Sequence, residues 1–215
     1  HTAASDTGRN CPRRGKDRRI VRMGWSRRDR AAIRDHRPDC AHRCEYRRFL
    51  GGLDVHELFT QALGGAPVSV LNDADAAGIA EVAFGDEAVR NGAVIFLTFG
   101  TGIGSAFFSD GTLFPNTELG HLLVDGTECE HLASSAVKDT LDLSYKEWAQ
   151  RVDIVLQEYN RLFNPAAFIV GGGISRKAEK WVPRLTVDVP VIPAKLRNRA
   201  GIVGAAMAAR EHVAP

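Results

Sequence analysis

The pair Asn72-Asp73 stands where a short apolar run ends and a segment of small residues begins. Open α/β sheets bind their ligands at the carboxyl ends of strands, so a polar pair at this point is placed to face a substrate. The Asp73 carboxylate has the chemistry of a general base that takes a proton from a substrate hydroxyl. A structural role is the alternative, because Asp is also a frequent helix N-cap and, for an isolated Asp, the cap is the commoner role. Both interpretations stay open at this stage.

Two glycine-rich turns each follow an apolar run: FGTGIG at 99–104, which also offers the hydroxyls of Thr98 and Thr101, and GGGIS at 171–175. Backbone N–H groups in such turns can converge on phosphate oxygens. A tight hairpin without a ligand explains the first turn equally well. Three successive glycines after a strand are better explained by something that approaches the backbone closely. Neither turn has Walker spacing, since no Gly-Lys-Ser/Thr follows.

Further polar candidates lie downstream, where NTELGH places Glu118 and His121 three residues apart and Glu130 follows nine residues later. A zinc site built from His121, Cys129 and His131 is a rival interpretation. It is a poor one, because a structural zinc site needs four ligands with paired Cys or His, and this stretch has a single cysteine.

The elements that must position these residues alternate between helix and strand. Asp54 and Gly64-Gly65 bound a predicted helix at 55–63. Strands are predicted at 68–72, 93–99 and 103–109, with a helix at 73–84 and a hairpin turn at Asp110-Gly111. The strand at 93–99 has too little alternation for a wet face, which predicts a sheet covered on both sides.

A long helix is predicted at 144–163, with a capping box from Ser144 and Glu147 and an end at Asn164-Pro165. Its apolar stripe predicts the core face, formed by Trp148, Val152, Val155, Leu156, Tyr159, Leu162 and Phe163. The order is completed by a strand at 166–170, a helix from about Ser175, a strand near 189–193 and a final helix at 199–211. This pattern is typical of an α/β fold.

The chain of 215 residues combines two compositions. Residues 1–50 hold 15 Lys+Arg against 6 Asp+Glu, a balance of +9, and the remainder carries −7. No apolar run approaches the roughly 18 residues of a membrane span. Three of the four cysteines lie before residue 50 and indicate no disulfide framework. With no apolar signal segment at the start, we expect a cytoplasmic protein.

Residues 1–50 show no apolar period, and we predict that they are disordered or poorly packed. A basic nucleic-acid-binding arm is the functional alternative, because clustered Arg neutralises phosphates. Basic tails are common, so we expect no nucleic-acid partner.

Five motifs in this order carry a family resemblance: LNDADAAGIAE, LTFGTGIGSA, NTELGH, FIVGGGISRKAEKWVP and AGIVGAAMAA. They closely resemble the polyphosphate glucokinase group of the ROK family of sugar kinases, and the resemblance covers residues 51–215. It implies a two-domain actin-like (ribonuclease H-like) fold. It also implies phosphoryl transfer from polyphosphate or ATP to the 6-hydroxyl of glucose with Mg²⁺, and often a homodimer to which the helix at 144–163 contributes.

The resemblance also implies roles for the candidates. Asp73 becomes the catalytic base, and the sugar hydroxyls fall to Asn72, Glu118, His121 and Glu130. One phosphate loop comprises Thr98, Gly100, Thr101, Gly102 and Gly104, and the nucleotide or polyphosphate loop comprises Gly171, Gly172 and Gly173. Arg176 and Lys177 either meet an anionic tail or form a solvated helix face. The cysteine-rich zinc motif of many ROK proteins is absent, so we predict no zinc and assign no residue as a metal ligand.

One departure concerns the first phosphate loop, an Asp-Gly-Gly segment that the resemblance implies near the start and that nothing in residues 1–50 resembles. We therefore expect an N-terminally incomplete fold and impaired phosphoryl transfer. The expected organisation is an aberrant basic segment at 1–50, a remnant of the small α/β domain at 51–91, a large α/β domain at 92–198, and a C-terminal helix at 199–215 that returns to the small domain. The alternative function is a non-catalytic sugar-binding ROK-type protein or an inactive kinase fragment.

A frameshift offers one explanation for residues 1–50. Permitted codons for residues 41–50, read one base out of frame, spell RTAANIDAS, which resembles a sugar-proximal segment of the family. We hypothesise a frameshift restored near Gly51-Gly52. Sequencing the coding DNA tests this, because an intact frame with codons that cannot give that string contradicts it.

Overall fold

The computed structural model describes residues 49–50 and 53–211, with side chains described over 55–210. The predictions of disorder, a frameshift or a nucleic-acid arm for the basic segment lie outside the described residues. Phe49–Leu50 (β1) and Leu53–Asp54 (β2) pair as a short antiparallel ribbon.

A five-stranded mixed sheet organises the described chain. Its strands are β3 (Ala93–Phe99), β4 (Ile103–Ser109), β5 (Thr112–Phe114), β8 (Ala167–Gly171) and β9 (Val191–Pro193), in the spatial order β5-β4-β3-β8-β9. The β3-β4-β5 pairs are antiparallel, whereas β3, β8 and β9 run parallel. A separate small ribbon is formed by β6 (Leu123–Val124) and β7 (Thr127–Glu128).

Helices cover both faces of this sheet. They are α1 (Val55–Ala62), α2 (Asp73–Phe84), α3 (Cys129–Ala133), α4 (Ser135–Thr140), α5 (Tyr145–Phe163) and α6 (Ala200–Glu211). Short 3₁₀ helices lie at Glu87–Val89, Leu119–His121, Gly173–Lys180, Val182–Arg184 and Arg197–Arg199. Within the described residues, no helix is long and apolar enough to cross a bilayer.

Strand β3 shows why both faces are dry. Its side chains alternate, so Ile95 and Leu97 pack with the buried stripe of α5, whereas Val94 and Phe96 pack with α2. Both cores exclude water, which confirms the prediction of a sheet covered on two sides. Burying both faces of the central strand fixes the register of its two ends, where the candidate turns lie.

The long helix α5 confirms its predicted boundaries. The Ser144 side chain caps it, Glu147 completes the capping box, and Asn164 ends it in the left-handed conformation with φ 44°. Most of the predicted stripe is buried. Leu162 is the exception, because it is 46% exposed near the helix end.

Two other predictions are wrong. Residues 68–72 form no strand in the described chain, because a strand needs a hydrogen-bonded neighbour and no described segment pairs with them. The helix predicted from Ser175 is a 3₁₀ helix that begins at Gly173 and is kinked at Lys177.

Helix α6 packs directly on α2, the helix that carries Asp73. The contact depends on Gly204, since a Cβ atom at this position would overlap the Ala76 carbonyl. The C-terminal helix therefore supports the candidate site from behind.

Candidate active site

Asp73 is the first residue of α2, and its side chain is exposed. The N-cap is Asn72, whose Oδ1 accepts a hydrogen bond of 2.8 Å from the Asp75 N–H. The capping interpretation of Asp73 is therefore wrong. The preceding residue already fills that role, and the Asp73 carboxylate is left at the positive end of the helix dipole.

The first glycine turn lies against the start of α2. A Cβ atom on Gly104 would stand 2.7 Å from Thr98 Oγ1 and 3.3 Å from Ala74 Cβ. Only a residue without a side chain lets β4 approach both β3 and the first turn of α2 this closely. The turn and the helix that presents Asp73 are thus neighbours.

The far side of the same turn is fixed by α4. The Gly100 N–H donates to the Gly102 carbonyl at 2.9 Å, which closes the turn. The Gly100 carbonyl accepts hydrogen bonds from Ser135 Oγ at 2.9 Å and from the Ala136 N–H at 3.1 Å.

Buried polar groups anchor the NTELGH segment beside this turn. Asp75, which is fully buried, accepts a hydrogen bond of 2.9 Å from the Asn116 N–H through Oδ2. Ser105 Oγ, also fully buried, bonds the Thr117 carbonyl at 2.9 Å and accepts from the Leu119 N–H at 3.0 Å. These bonds hold the backbone on both sides of Glu118 between α2 and β4.

Tyr159 on α5 adds a third anchor, because its hydroxyl donates to the Leu119 carbonyl at 2.7 Å. Burial, and after it the neighbouring Cys129, holds the pKa of this phenol well above its usual range. The hydroxyl therefore keeps its proton and remains a donor.

Glu130 and His121 lie on the open side of the turn. A Cβ atom on Gly102 would overlap Glu130 Oε2, so this carboxylate rests against the turn backbone. His121 Nδ1 lies 3.9 Å from Glu130 Oε1 and 3.2 Å from Glu128 Oε2. Glu128 was not predicted as a site residue.

His121, Glu128 and Glu130 form a group whose ligand atoms lie within 4.8 Å of one another, an arrangement that could hold a metal ion. His131 borders it, with Nδ1 3.6 Å from Glu128 Oε2. Cys129 is not part of this group, because it is fully buried and its thiol bonds Tyr159. Burial raises the pKa of that thiol, which opposes the thiolate that zinc requires. The structure therefore does not assemble the His121, Cys129 and His131 set.

The triple glycine is explained largely by the chain itself. Gly172 has φ +85°, and a Cβ atom there would overlap the Phe99 carbonyl, while one on Gly171 would stand 3.1 Å from the Phe96 ring. The close approach inferred for these two glycines is therefore made by β3 and not by a ligand. Gly173 differs, because nothing lies within 4 Å of its Cβ position.

Thr98 connects the two glycine turns. In the sheet register it is opposite Gly104 on one side and Gly171 on the other. The other basic candidates lie further out: Arg176 Nη2 donates to Asn198 Oδ1 at 3.2 Å, and Lys177 is exposed.

The structure thus joins Asp73, the 100–104 turn, the Glu118 segment and Glu130 by direct contacts. Asp75 and Ser105, which hold them together, were missed. The second Asp of DAD, two residues after Asp73 at a helix start, is the signal that could have identified Asp75.

Comparison with known proteins agrees with this arrangement. The family model described as "ROK family" matches residues 50–134. The polyphosphate glucokinase of Mycobacterium tuberculosis is 54% identical over 157 residues, which cover 73% of this chain and 59% of that protein. The polyphosphate glucokinase of Mycobacterium leprae is 49% identical over 162 residues, or 75% of this chain and 50% of that protein.

Solved structures are also similar. The crystal structure of inorganic polyphosphate/ATP-glucomannokinase from Arthrobacter sp. strain KM matches with a TM-score of 0.70 and 46% identity over 75% of this chain and 64% of that chain. A ROK family glucokinase from Streptomyces griseus, in complex with glucose and AMPPNP, matches with a TM-score of 0.59 and 25% identity over 74% of this chain and 72% of that chain.

The chain spans between half and three fifths of the length of the two mycobacterial relatives. Its architecture is the mixed α/β, actin-like fold of the ROK sugar kinases. The motifs, the fold and the family match agree, and the chain carries a ROK family domain.

Proposed function

We propose that this site serves phosphoryl transfer from polyphosphate or ATP to the 6-hydroxyl of glucose. The observation that carries the proposal is the junction at Gly104, where the first turn of α2, with Asp73, meets a glycine turn at van der Waals distance. Phosphoryl transfer asks mainly for positioning and charge stabilisation, with one carboxylate to orient the nucleophile. The polyphosphate glucokinases and the glucomannokinase named above support this choice of substrates.

In this proposal, Asp73 accepts the proton of the 6-hydroxyl as that oxygen attacks the terminal phosphorus of the donor. Glu118, His121 and Glu130 hold other hydroxyls of the sugar. Asn72 contributes its Nδ2 donor, because its Oδ1 is occupied by the helix cap. The N–H groups of the two glycine turns bind donor phosphates, with the Thr98 and Thr101 hydroxyls between them.

Mg²⁺ is the proposed cofactor. It is usually held by substrate phosphates, water and one or two protein oxygen atoms. The oxygen donors at this site, the Thr101 hydroxyl and the exposed Asp73 carboxylate, are of that kind. When bound, the ion neutralises charge on the phosphoryl oxygens.

We expect reduced turnover in this chain, because residues 1–50 contain nothing similar to the first phosphate loop. A coupled assay for glucose 6-phosphate on the purified chain, with polyphosphate and with ATP, tests the proposal. Turnover with either donor supports it. Saturable glucose binding without turnover favours the non-catalytic sugar-binding alternative, and neither binding nor turnover contradicts both.

Gly173→Ala separates ligand contact from packing. The added methyl group meets no protein atom, so we expect the free energy of unfolding to change by less than about 0.5 kcal/mol. If donor phosphates lie against this backbone, the KM for the donor rises about tenfold, which corresponds to about 1.4 kcal/mol. Donor-dependent initial rates measure the effect, and an unchanged KM removes Gly173 from the site.

Ser105→Ala tests the anchoring of Glu118. The Leu119 N–H and the Thr117 carbonyl lose a buried partner, so we expect destabilisation by about 1–3 kcal/mol in urea unfolding. The looser segment also raises the KM for glucose. Ser109→Ala, at the exposed end of the same strand, is the control and should change neither quantity. A normal glucose KM in a destabilised Ser105→Ala protein would mean that the anchor serves stability alone.

Three further parts of the proposal concern organisation. The chain acts in the cytoplasm without a nucleic-acid or membrane partner. Residues 51–91 and the C-terminal helix form the small domain, in accord with the packing of α6 on α2. Two copies associate through α5, whose Ile154 and Leu162 are 48% and 46% exposed. Sedimentation equilibrium tests this pairing, and Ile154→Glu should shift a dimer toward the monomer.

A further inference from the structure

Two lysines converge on one aromatic ring away from the sugar-binding residues. Lys138 Nζ lies 4.8 Å from the centre of the Tyr145 ring, and Lys180 Nζ lies 5.4 Å from it. The two ammonium groups are therefore within about 10 Å of each other, a distance at which salt screens their repulsion only in part. The ring faces attract each cation and hold both in place.

The charge of this pair is poorly compensated by the protein. Among the ion pairs of the described residues, the one that involves either lysine joins Lys138 to Asp139 at 3.9 Å. The Asp139 side chain is 78% exposed and the Lys138 side chain only 16%. An exposed carboxylate at this distance contributes little, whereas a largely buried ammonium group gains much from an anion.

Each lysine is carried by an element that starts at one of the two glycine turns. Helix α4 begins at Ser135, which binds the Gly100 carbonyl, and Lys138 follows one turn later. Lys180 ends the 3₁₀ helix that begins at Gly173. The two elements leave the two turns and meet at Tyr145, the first residue of α5.

We propose that Lys138 and Lys180, held by Tyr145, bind internal phosphates of an inorganic polyphosphate chain whose terminal phosphate lies at the glycine turns. The proposal rests on the proposed function for the position of that terminal phosphate. A linear polyanion carries charge along its whole length, so it can engage both turns and both lysines at once. The pair thereby favours long polyphosphate over short donors.

The test is direct binding of long-chain polyphosphate to the full chain, measured at several salt concentrations. For the double variant Lys138→Met/Lys180→Met we expect affinity to fall at least tenfold. The slope of log K against log salt should become shallower by about 1–2, because two phosphate contacts are lost. Lys146→Met removes the same charge from an exposed neighbour of Tyr145 and should leave both quantities unchanged.

Turnover with ATP separates this proposal from the proposed function. We expect the double variant to keep its ATP-dependent rate within about twofold of the parent chain, within normal surface-substitution effects, while its KM for long polyphosphate rises. Unchanged polyphosphate affinity in the double variant overturns the lysine site, whatever the glucose assay shows. Lysine-dependent polyphosphate binding in a chain that phosphorylates no sugar retains the lysine site and contradicts only the proposed reaction.

Folding is controlled separately. Lys180→Met alone changes an exposed side chain and is expected to fold normally, with about a threefold loss of polyphosphate affinity, or roughly 0.7 kcal/mol. Lys138→Arg keeps the charge and should restore most of the binding that Lys138→Met loses.

Discussion

Replacing Asp73 by Asn is expected to lower kcat for glucose phosphorylation by about 10²–10⁴-fold, the usual contribution of a general base. The KM values for glucose and donor should change little, because the amide keeps the shape of the carboxylate and its hydrogen bonds to the sugar. The fold should persist, since Asn72 and not Asp73 caps α2. Steady-state rates with polyphosphate and with ATP measure the effect.

Asp142→Asn is the matched control. Asp142 is exposed and has φ 48°, a conformation that Asn adopts readily. Its rate should equal that of the parent chain. A fall in kcat of less than tenfold in Asp73→Asn would mean that Asp73 does not accept the proton, and the assigned base would be wrong.

Gly204→Ala is expected to destabilise the chain by about 2–3 kcal/mol, in the range measured for overpacked sites. The sign is informative, because Ala favours a helix over Gly by about 1 kcal/mol. The methyl group would overlap the Ala76 carbonyl and force α6 away from α2. Urea unfolding followed by tryptophan fluorescence measures the change.

Gly173→Ala provides the comparison, since its methyl group enters open space. Stability equal to the parent in both variants would show that α6 does not pack on α2 in the way described. Because α2 carries Asp73, Gly204→Ala should also lower kcat more than the KM for glucose.

The elements with strong local signals could be predicted from the sequence. The capping box at Ser144 and Glu147 fixed the start of α5, and Asp110-Gly111 identified the hairpin, where both residues have positive φ. The turn at Gly64-Gly65 was found for the same reason. In each case, the residues that determine the conformation are adjacent in the chain.

The missed features depend on contacts between distant segments. Asp75 bonds Asn116, which is 41 residues away, and no local pattern distinguishes such an Asp from a solvated one. Residues 68–72 have the composition of a strand, but strand formation depends on a partner that no described segment provides. Gly172 was correctly identified as a point of close approach, but its neighbour is the chain's own Phe99.

The site roles rest on the claim that Asp73, Glu118 and Glu130 line one sugar site beside the 100–104 turn. A crystal structure of the chain with glucose bound tests this most directly, because it does not depend on turnover. We predict that the 6-hydroxyl lies within hydrogen-bond distance of the Asp73 carboxylate, with other hydroxyls on Glu118 and Glu130. Glucose bound elsewhere, or bound at the turn with its 6-hydroxyl directed away from Asp73, would contradict the account.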